Sequence, residues 1–385
     1  MDFTEYKMAE IRPVDTENKK QVKEFVQFHY DLYKGCPQWV PPFRNDIEIM
    51  LNKKKHPFYE HSDAAFFTAW KDGKMVGRTA VLNNTAYNEY HKQNSGDIFL
   101  FDSIDDQEVA NALFDTAASW ARSKGLDKLK GPKGFSLFDG YGVLVDGFER
   151  RQSMNFSCYN FSYYQKLYEN YGFYKINEYI TMLADVNDFQ MPEKVYKVAE
   201  IVKKRGKLKI KLYNNKAEIK KDAARIAQMY FDSFKNNWEY FPMTQSEFDF
   251  FVDNVLTFVV PGLLRFTTDE NDEIVGFLVN FPDVSAAMQR HSGSLLNPAL
   301  LVDLVLEMKK TNCCAMNGLG LLEKYHKSGG NALLYASMMD IMKEYPQFQY
   351  VEAVQMAESA HEVQQEMATL GLKPIKRHRV YEVAI

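Results

Sequence analysis

Cysteine is scarce in this chain, and the four that occur are badly placed for crosslinking. Cys36, Cys158, Cys313 and Cys314 form no C-x-x-C, and the adjacent pair is a poor start for a disulfide framework. That usage suits a reducing compartment. An excess of positive charge is also missing. A net charge of −4 provides no broad basic surface for counterion-driven attraction to phosphate, so nucleic acid is not an expected partner. Long apolar runs are absent too: the longest, around Val255 to Leu264, is interrupted by Thr257, Pro261 and Gly262 and falls far short of a bilayer span. The opening MDFTEYKMAEIRPVD has no apolar signal core. The expectation is a cytoplasmic protein with no membrane partner. No G-K-[ST] phosphate loop occurs, and His56 and His61 flank Pro57 at a spacing that fits no helical metal pair, so no metal site is expected.

What is present is the composition of a folded globular chain, 46% hydrophobic and 25% charged. At 385 residues it is long enough for two domains that each bury a core.

Two passes of similar elements run along the chain. In the first, residues 6–14 read as a strand, and NKKQVKEFVQFHYDLYKG as a helix stopped by Gly35 and Pro37. Pro41 and Pro42 then impose an aromatic loop, WVPPF, read as packing. AAFFTAW and MVGRTAVLNN flank an Asp-Gly turn and predict a hairpin. SGDIFLFDSI is a strand. QEVANALFDTAASWARSKG is an amphipathic helix with Val109, Leu113, Phe114, Ala117 and Trp120 on one face, closed by Gly125. LDKLKGP, a long loop from Lys133 to about Asn160, a helix ending in YENYGF and a closing strand complete this pass.

The second pass opens with the helix MPEKVYKVAEIVKKRG and the strand LKIKLYN. Helices about 216–236 and 244–258 follow, then the hairpin LLRFTTDENDEIVGFLVNF and a helix at 295–310. The strand NCCAMNGLGLL leads to the helix SGGNALLYASMMDIMKEY, the strand QYVEAVQMA, the helix HEVQQEMATLGL and the final strand KPIKRHRVYEVAI. Echoes stand in register: KDGKMVGR with ENDEIVGF, and YENYGFYK with MATLGLKPI. They predict a duplication, with domains 1–189 and 190–385, each an α/β fold of α+β character around a mixed sheet. A single doubly wound domain is the alternative, but parallel crossovers need no Asp-Gly hairpins.

This order of elements resembles the GCN5-related N-acetyltransferase superfamily, and the chain is similar to bacterial tandem proteins of that fold whose function is largely unassigned. The segments that carry the resemblance are YKGCPQWVPPFRND, HPFYEHSDAAFFTAWKDGKMVGR, DDQEVANALFDTAASWARSKG, LKGP and YNFSYYQKLYENYGF. It implies two tandem acyl-CoA N-acyltransferase folds, acetyl-CoA or another acyl-CoA as co-substrate, and a small-molecule or peptide amine as acceptor. The superfamily's loop, Q/R-x-x-G-x-G/A, precedes its long helix. Successive amides and the helix N-terminus there form a concave positive site for pyrophosphate.

In the second half LLEKYHKSGGNALLY stands at that place. Gly329 matches the first glycine, His326 replaces the usual Gln or Arg, and Asn331 replaces the second Gly or Ala. The expected cofactor-binding residues are Leu321, His326, Lys327, Ser328, Gly329, Gly330, Asn331 and Ala332, with Lys327 and Ser328 adding a cation and a hydroxyl. An ordinary glycine-rich turn is the competing reading. The first half has Asp102, Asp105 and Asp106 at the same junction, carboxylates that suit a helix start and repel pyrophosphate. No acyl-CoA site is expected there.

No catalytic residue is assigned. The tyrosine that superfamily members often use as acid corresponds to Tyr168 in the first half but to Met367 in the second. Tyr381 is a possible substitute; Glu352 is a possible base but reads first as a solvated surface residue, and no role is assigned to it. GPKGFSLFDGYG, residues 131–142, is either a substrate-facing loop or an irregular connection needing glycine. Eight basic residues between Lys194 and Lys211 read as a solvated face. The leading expectation is an acyl-CoA-dependent N-acyltransferase, with a non-catalytic binding protein and an aminoacyl transferase using charged tRNA as alternatives.

Overall fold

The computed structural model describes residues 9–385 except 137, 138, 155 and 296. By its contacts the chain forms two compact units: one of residues up to Tyr179 with Ser285–Val302 and Lys376–Ile385, the other of Ile180–Val284 with Asp303–Ile375.

The first unit begins with β1 (Glu10–Pro13), α1 (Lys19–Leu32) and α2 (Arg44–Leu51). Next come β2 (Asp63–Lys71), β3 (Lys74–Asn83), α3 (Thr85–His91), β4 (Ser95–Ser103) and α4 (Gln107–Ser123). β5 (Lys128–Gly131), β6 (Val143–Asp146), α5 (Tyr164–Tyr171) and β7 (Tyr174–Asp185) follow, β7 crossing the division at Tyr179. β2 and β3 form the expected hairpin. Its turn residues Asp72 and Gly73 both have positive φ, 49° and 73°, as a two-residue turn matched to strand twist requires. β3 and β4 are antiparallel, and β4 and β5 parallel. The predicted stripe of α4 is the core face: Val109, Leu113, Phe114 and Ala117 are fully buried against Phe101, Leu129 and Tyr168.

The second unit runs through α6 (Glu193–Arg205), β8 (Lys209–Lys211), α7 (Lys216–Phe234) and α8 (Gln245–Val255). It continues with β9 (Leu264–Thr268) and β10 (Ile274–Pro282). α9 (Ser285–Arg290) belongs to the first unit, and α10 (Pro298–Lys310) returns the chain to the second. β11 (Cys313–Leu321), α11 (Gly330–Glu344), β12 (Tyr350–Ala357) and α12 (His361–Thr369) complete it, before β13 (Lys373–Ala384). β9–β10 and β10–β11 are antiparallel and β11–β12 parallel, the same sequence of pairings as β2 through β5.

Both fourth strands carry the same irregularity. Arg78 and Ala80 of β3 face Asp102 and Phe99, so β4 holds one extra residue, and Leu100 there has φ of 47°. Leu278 and Asn280 of β10 face Leu319 and Met316, so β11 bulges likewise, with Gly318 at φ of 153°. The contact units interleave along the chain where the sequence reading divides it at 189. β13 lies antiparallel to β5, Tyr381 opposite Gly131 and Ala384 opposite Lys128, and also pairs with β6. From Lys376 onward the final strand is therefore part of the first unit.

Candidate functional site

The junction of β11 and α11 is built from glycine contacts. β11 and β12 pair in parallel from Cys313–Tyr350 to Met316–Ala353; beyond the bulge, Leu319 to Leu321 pair with β10. The chain then makes a short 3-10 turn, Glu323–Ser328, and enters α11 through Gly329, whose φ of 85° is left-handed. A Cβ on Gly329 would lie 2.7 Å from Val202 Cγ2, and one on Gly330 would lie 2.7 Å from Leu321 Cδ2. Both glycines are thus demanded by close packing, and Gly329 also by its backbone conformation.

The predicted site residues lie at the end of β11, on this turn and in the first turn of α11. Leu321 is buried, and its carbonyl accepts a hydrogen bond from His326 Nε2 at 2.8 Å. Ser328 Oγ donates to the Tyr325 carbonyl at 2.5 Å and accepts from the Gly330 amide at 3.3 Å. The serine hydroxyl therefore caps the turn. Lys327 is exposed, and Asn331 and Ala332 are half-buried. Leu333 is the first residue of α11 whose amide reaches back, to the Gly329 carbonyl at 3.2 Å. The amides of Asn331 and Ala332 belong to the helix start, where no intrahelical acceptor exists. A neighbouring element adds what sequence reading missed. Val198 and Val202 of α6 lie against Gly329, and the last turn of α6 follows at once with exposed Lys203, Lys204 and Arg205. Part of the basic stretch thus stands beside the loop. The signal was the valine spacing of 198 and 202, one helical turn, facing a glycine.

The equivalent junction of the first unit differs in charge and in space. Asp106 caps α4, accepting from Glu108 and Val109 amides, and pairs with Lys71 at 2.6 Å. Asp102 is no cap. It is buried, and its carboxylate accepts from Arg78 Nε at 2.7 Å, His29 Nδ1 at 2.8 Å and Tyr164 Oη at 3.2 Å. Burial acts to raise its pKa, but His29 and Arg78 outweigh that and hold it well below the usual carboxylate range. His29 Nε2 accepts from Trp39 Nε1, so the imidazole is the neutral Nδ1–H form with both nitrogens engaged. The WVPP segment packs, as its Trp39 and Val40 are buried. Past β5, Gly131 passes so close to Ile98 that a Cβ would meet the Ile98 carbonyl, and the Lys133 amide donates to that same carbonyl at 2.9 Å. The chain itself covers β4 there.

The candidate acids and bases are buried. Tyr168 is fully enclosed by Phe101, Phe114, Phe173 and Tyr381, with its hydroxyl unpartnered among the described residues. Burial raises its pKa far above the ordinary value. Met367 lines an apolar cavity in the second unit. Tyr381 donates to Glu169 at 3.1 Å. Glu352, read also as a surface residue, is only 7% exposed on β12. In the 131–142 loop, Lys133, Phe135 and Tyr141 are buried, so this connection is packed; Leu137 and Phe138 lie outside the described residues. Among the described residues no disulfide forms, no cluster of metal-ligating side chains occurs and no helix is long and apolar enough to cross a membrane.

Two solved structures match this arrangement over almost the whole chain. A tandem GNAT protein from the clavulanic acid biosynthesis pathway aligns with a TM-score of 0.55 at 11% identity, covering 98% of each chain. A GCN5-related glucosamine N-acetyltransferase region of a fungal multi-domain GH3 β-N-acetylglucosaminidase gives 0.59 at 13% identity, over 97% of this chain and 38% of that one. The fold is that of the GCN5-related N-acetyltransferases. In the second half of this fold, β11, the turn through Gly329 and α11 follow one another as strand, turn and long helix. No protein-family model matches the chain. Two curated proteins are similar over nearly their full length. Protein YghO of Escherichia coli (strain K12) is 24% identical over 96% of this chain and 94% of its own. The bacterial ceramide synthase of Caulobacter vibrioides (strain NA1000 / CB15N) is 23% identical over 98% of both.

Proposed function

We propose that the chain is an acyl-CoA-dependent N-acyltransferase whose co-substrate is held by Leu321, His326, Lys327, Ser328, Gly329, Gly330, Asn331 and Ala332. The observation that carries this reading is the left-handed turn at Gly329, which delivers the chain into α11 with the Asn331 and Ala332 amides at the helix start. A pyrophosphate takes those amides, aided by the partial positive charge of the helix end. Lys327 adds a point charge, and the exposed Lys203, Lys204 and Arg205 of α6 supply cations for the third phosphate of CoA. Ser328 and His326 act indirectly, tying the 3-10 turn so that the amides stay aligned.

The reaction is amide formation. The acceptor nitrogen attacks the thioester carbonyl carbon, the C–S bond breaks, and the proton lost by the amine ends on the departing thiolate. The acceptor is an amine on a small molecule or peptide; the similarity to a ceramide synthase extends the acceptor classes to lipid amines.

Calorimetry with acetyl-CoA tests the site. Saturable binding is expected, weakened at least about tenfold by Asn331→Glu, which sets a carboxylate at the helix start without touching Gly329. No binding at millimolar acetyl-CoA, or undiminished binding by the variant, removes the proposal. A second reading, a binding protein without turnover, is favoured by Met367, which puts a thioether in an apolar lining at the place of the usual acid. Robust turnover with any amine rules it out.

A further inference from the structure

The second unit contains an open-mouthed apolar cavity of about 50 Å³, room for a few water-sized groups. Its wall is apolar throughout: β11 contributes Met316 and Leu319, β12 contributes Val351, and α11 contributes Tyr335, Met338, Met339 and Met342. The Tyr335 hydroxyl is turned onto Glu366 at 2.5 Å, which keeps its polar tip satisfied outside the lining. Interiors normally pack to crystal-like density with few voids larger than a water molecule, so an apolar space that admits several water-sized groups is a feature of this core.

Three features say what fills it. The β11 bulge brings Met316 and Leu319, three residues apart, to one wall, where an unbroken strand would turn them to opposite faces. The cavity is therefore built into the strand that ends at the proposed loop. Its other wall is α11 itself: Gly330 begins the helix, and Tyr335, Met338 and Met342 follow along one side, the last about 18 Å from the start. A ligand anchored by phosphates at the helix start thus has an apolar path along the same helix. Finally, methionine supplies much of the lining, Met191 and Met367 included. Its unbranched side chain adapts to a flexible hydrocarbon better than a rigid aliphatic wall does.

We propose that this cavity receives the hydrocarbon chain of a medium- or long-chain acyl-CoA, so that the donor is a fatty acyl thioester and not acetyl-CoA. The inference rests on the acyl-CoA reading of the Gly329 loop and deepens it by assigning the donor class. An acetyl group leaves the cavity empty; a longer chain enters it, and each methylene buried there improves affinity roughly fourfold.

Calorimetry with acetyl-CoA, decanoyl-CoA and dodecylamine separates the possibilities. Decanoyl-CoA is expected to bind at least about tenfold more tightly than acetyl-CoA, which needs only two buried methylenes. In Met339→Trp, which fills the cavity from a half-buried position, that ratio falls towards one. In Met342→Ala, which enlarges it, the preferred chain becomes longer; this second variant keeps the test decisive if the tryptophan impairs folding, which circular dichroism reports. Equal binding of the two thioesters overturns the inference while leaving the CoA site intact. Binding of neither thioester sinks the acyl-CoA reading itself. If dodecylamine binds the wild type, is lost in Met339→Trp, and decanoyl-CoA shows no chain advantage, the cavity serves an acceptor's tail and the inference is wrong.

Discussion

His378, on β13 in the first unit, is fully buried; its Nε2 donates to the Cys158 carbonyl at 2.8 Å, and its Nδ1 has no partner among the described residues. Burial pulls its pKa down from 6.5 to about 4; the bond to Cys158 opposes this and Lys376 adds to it. The unfolded chain binds a proton near pH 6.5 that the fold refuses until about pH 4. This residue's contribution to stability is therefore complete above pH 6.5 and shrinks as pH falls through that window, by on the order of 3 kcal/mol in all. Unfolding by urea at stepped pH should give His378→Gln a shallower loss of stability between pH 6.5 and 4 than the wild type; parallel curves would show that the imidazole does not titrate this way. Residues of this kind were not legible in the sequence. Asp102 and Asp106 both read as helix-start carboxylates, and only Asp106 is one. What separates them is partners 24 and 73 positions away, Arg78 and His29, which spacing along the chain does not reveal. Glu352 read first as a solvated surface residue and is only 7% exposed.

At the scale of elements, periodicity and turn chemistry carried most of the information. The helices α4 and α11, the hairpin turn at Asp72–Gly73 and the repeated order of pairings follow from apolar stripes and glycine placement. Short elements escaped: α3, α9 and β6, of seven, six and four residues, are too brief for a period to register. The role of α6 escaped as well, because its charges suggested only a solvated face and its contact with Gly329 is tertiary. That contact makes a prediction about the element. Reversing Lys204 and Arg205 to Glu should weaken CoA binding several-fold at low salt and leave dephospho-CoA, which lacks the third phosphate, much less affected. Equal losses for both ligands would mean that α6 supports the loop only by packing.

For the whole molecule, the two units share an order of strand pairings and differ at the junction of the fourth strand and the long helix. The fourth strand bulges in both units, but in the first the chain from Gly131 to Lys133 lies over Ile98, and Asp106 occupies the helix start. The second unit keeps a glycine turn at that start and an apolar cavity beside it. The duplication was legible from echoes in register. The membership of the final strand was not, since its pairing with β5 joins residues some 250 positions apart, Tyr381 with Gly131. The claim on which the rest depends is that the amides at the start of α11 hold phosphate. Amide chemical shifts of ¹⁵N-labelled protein titrated with CoA report on it directly. The account predicts saturating shifts at Gly329, Gly330, Asn331 and Ala332; CoA binding that leaves those four amides unmoved would contradict it.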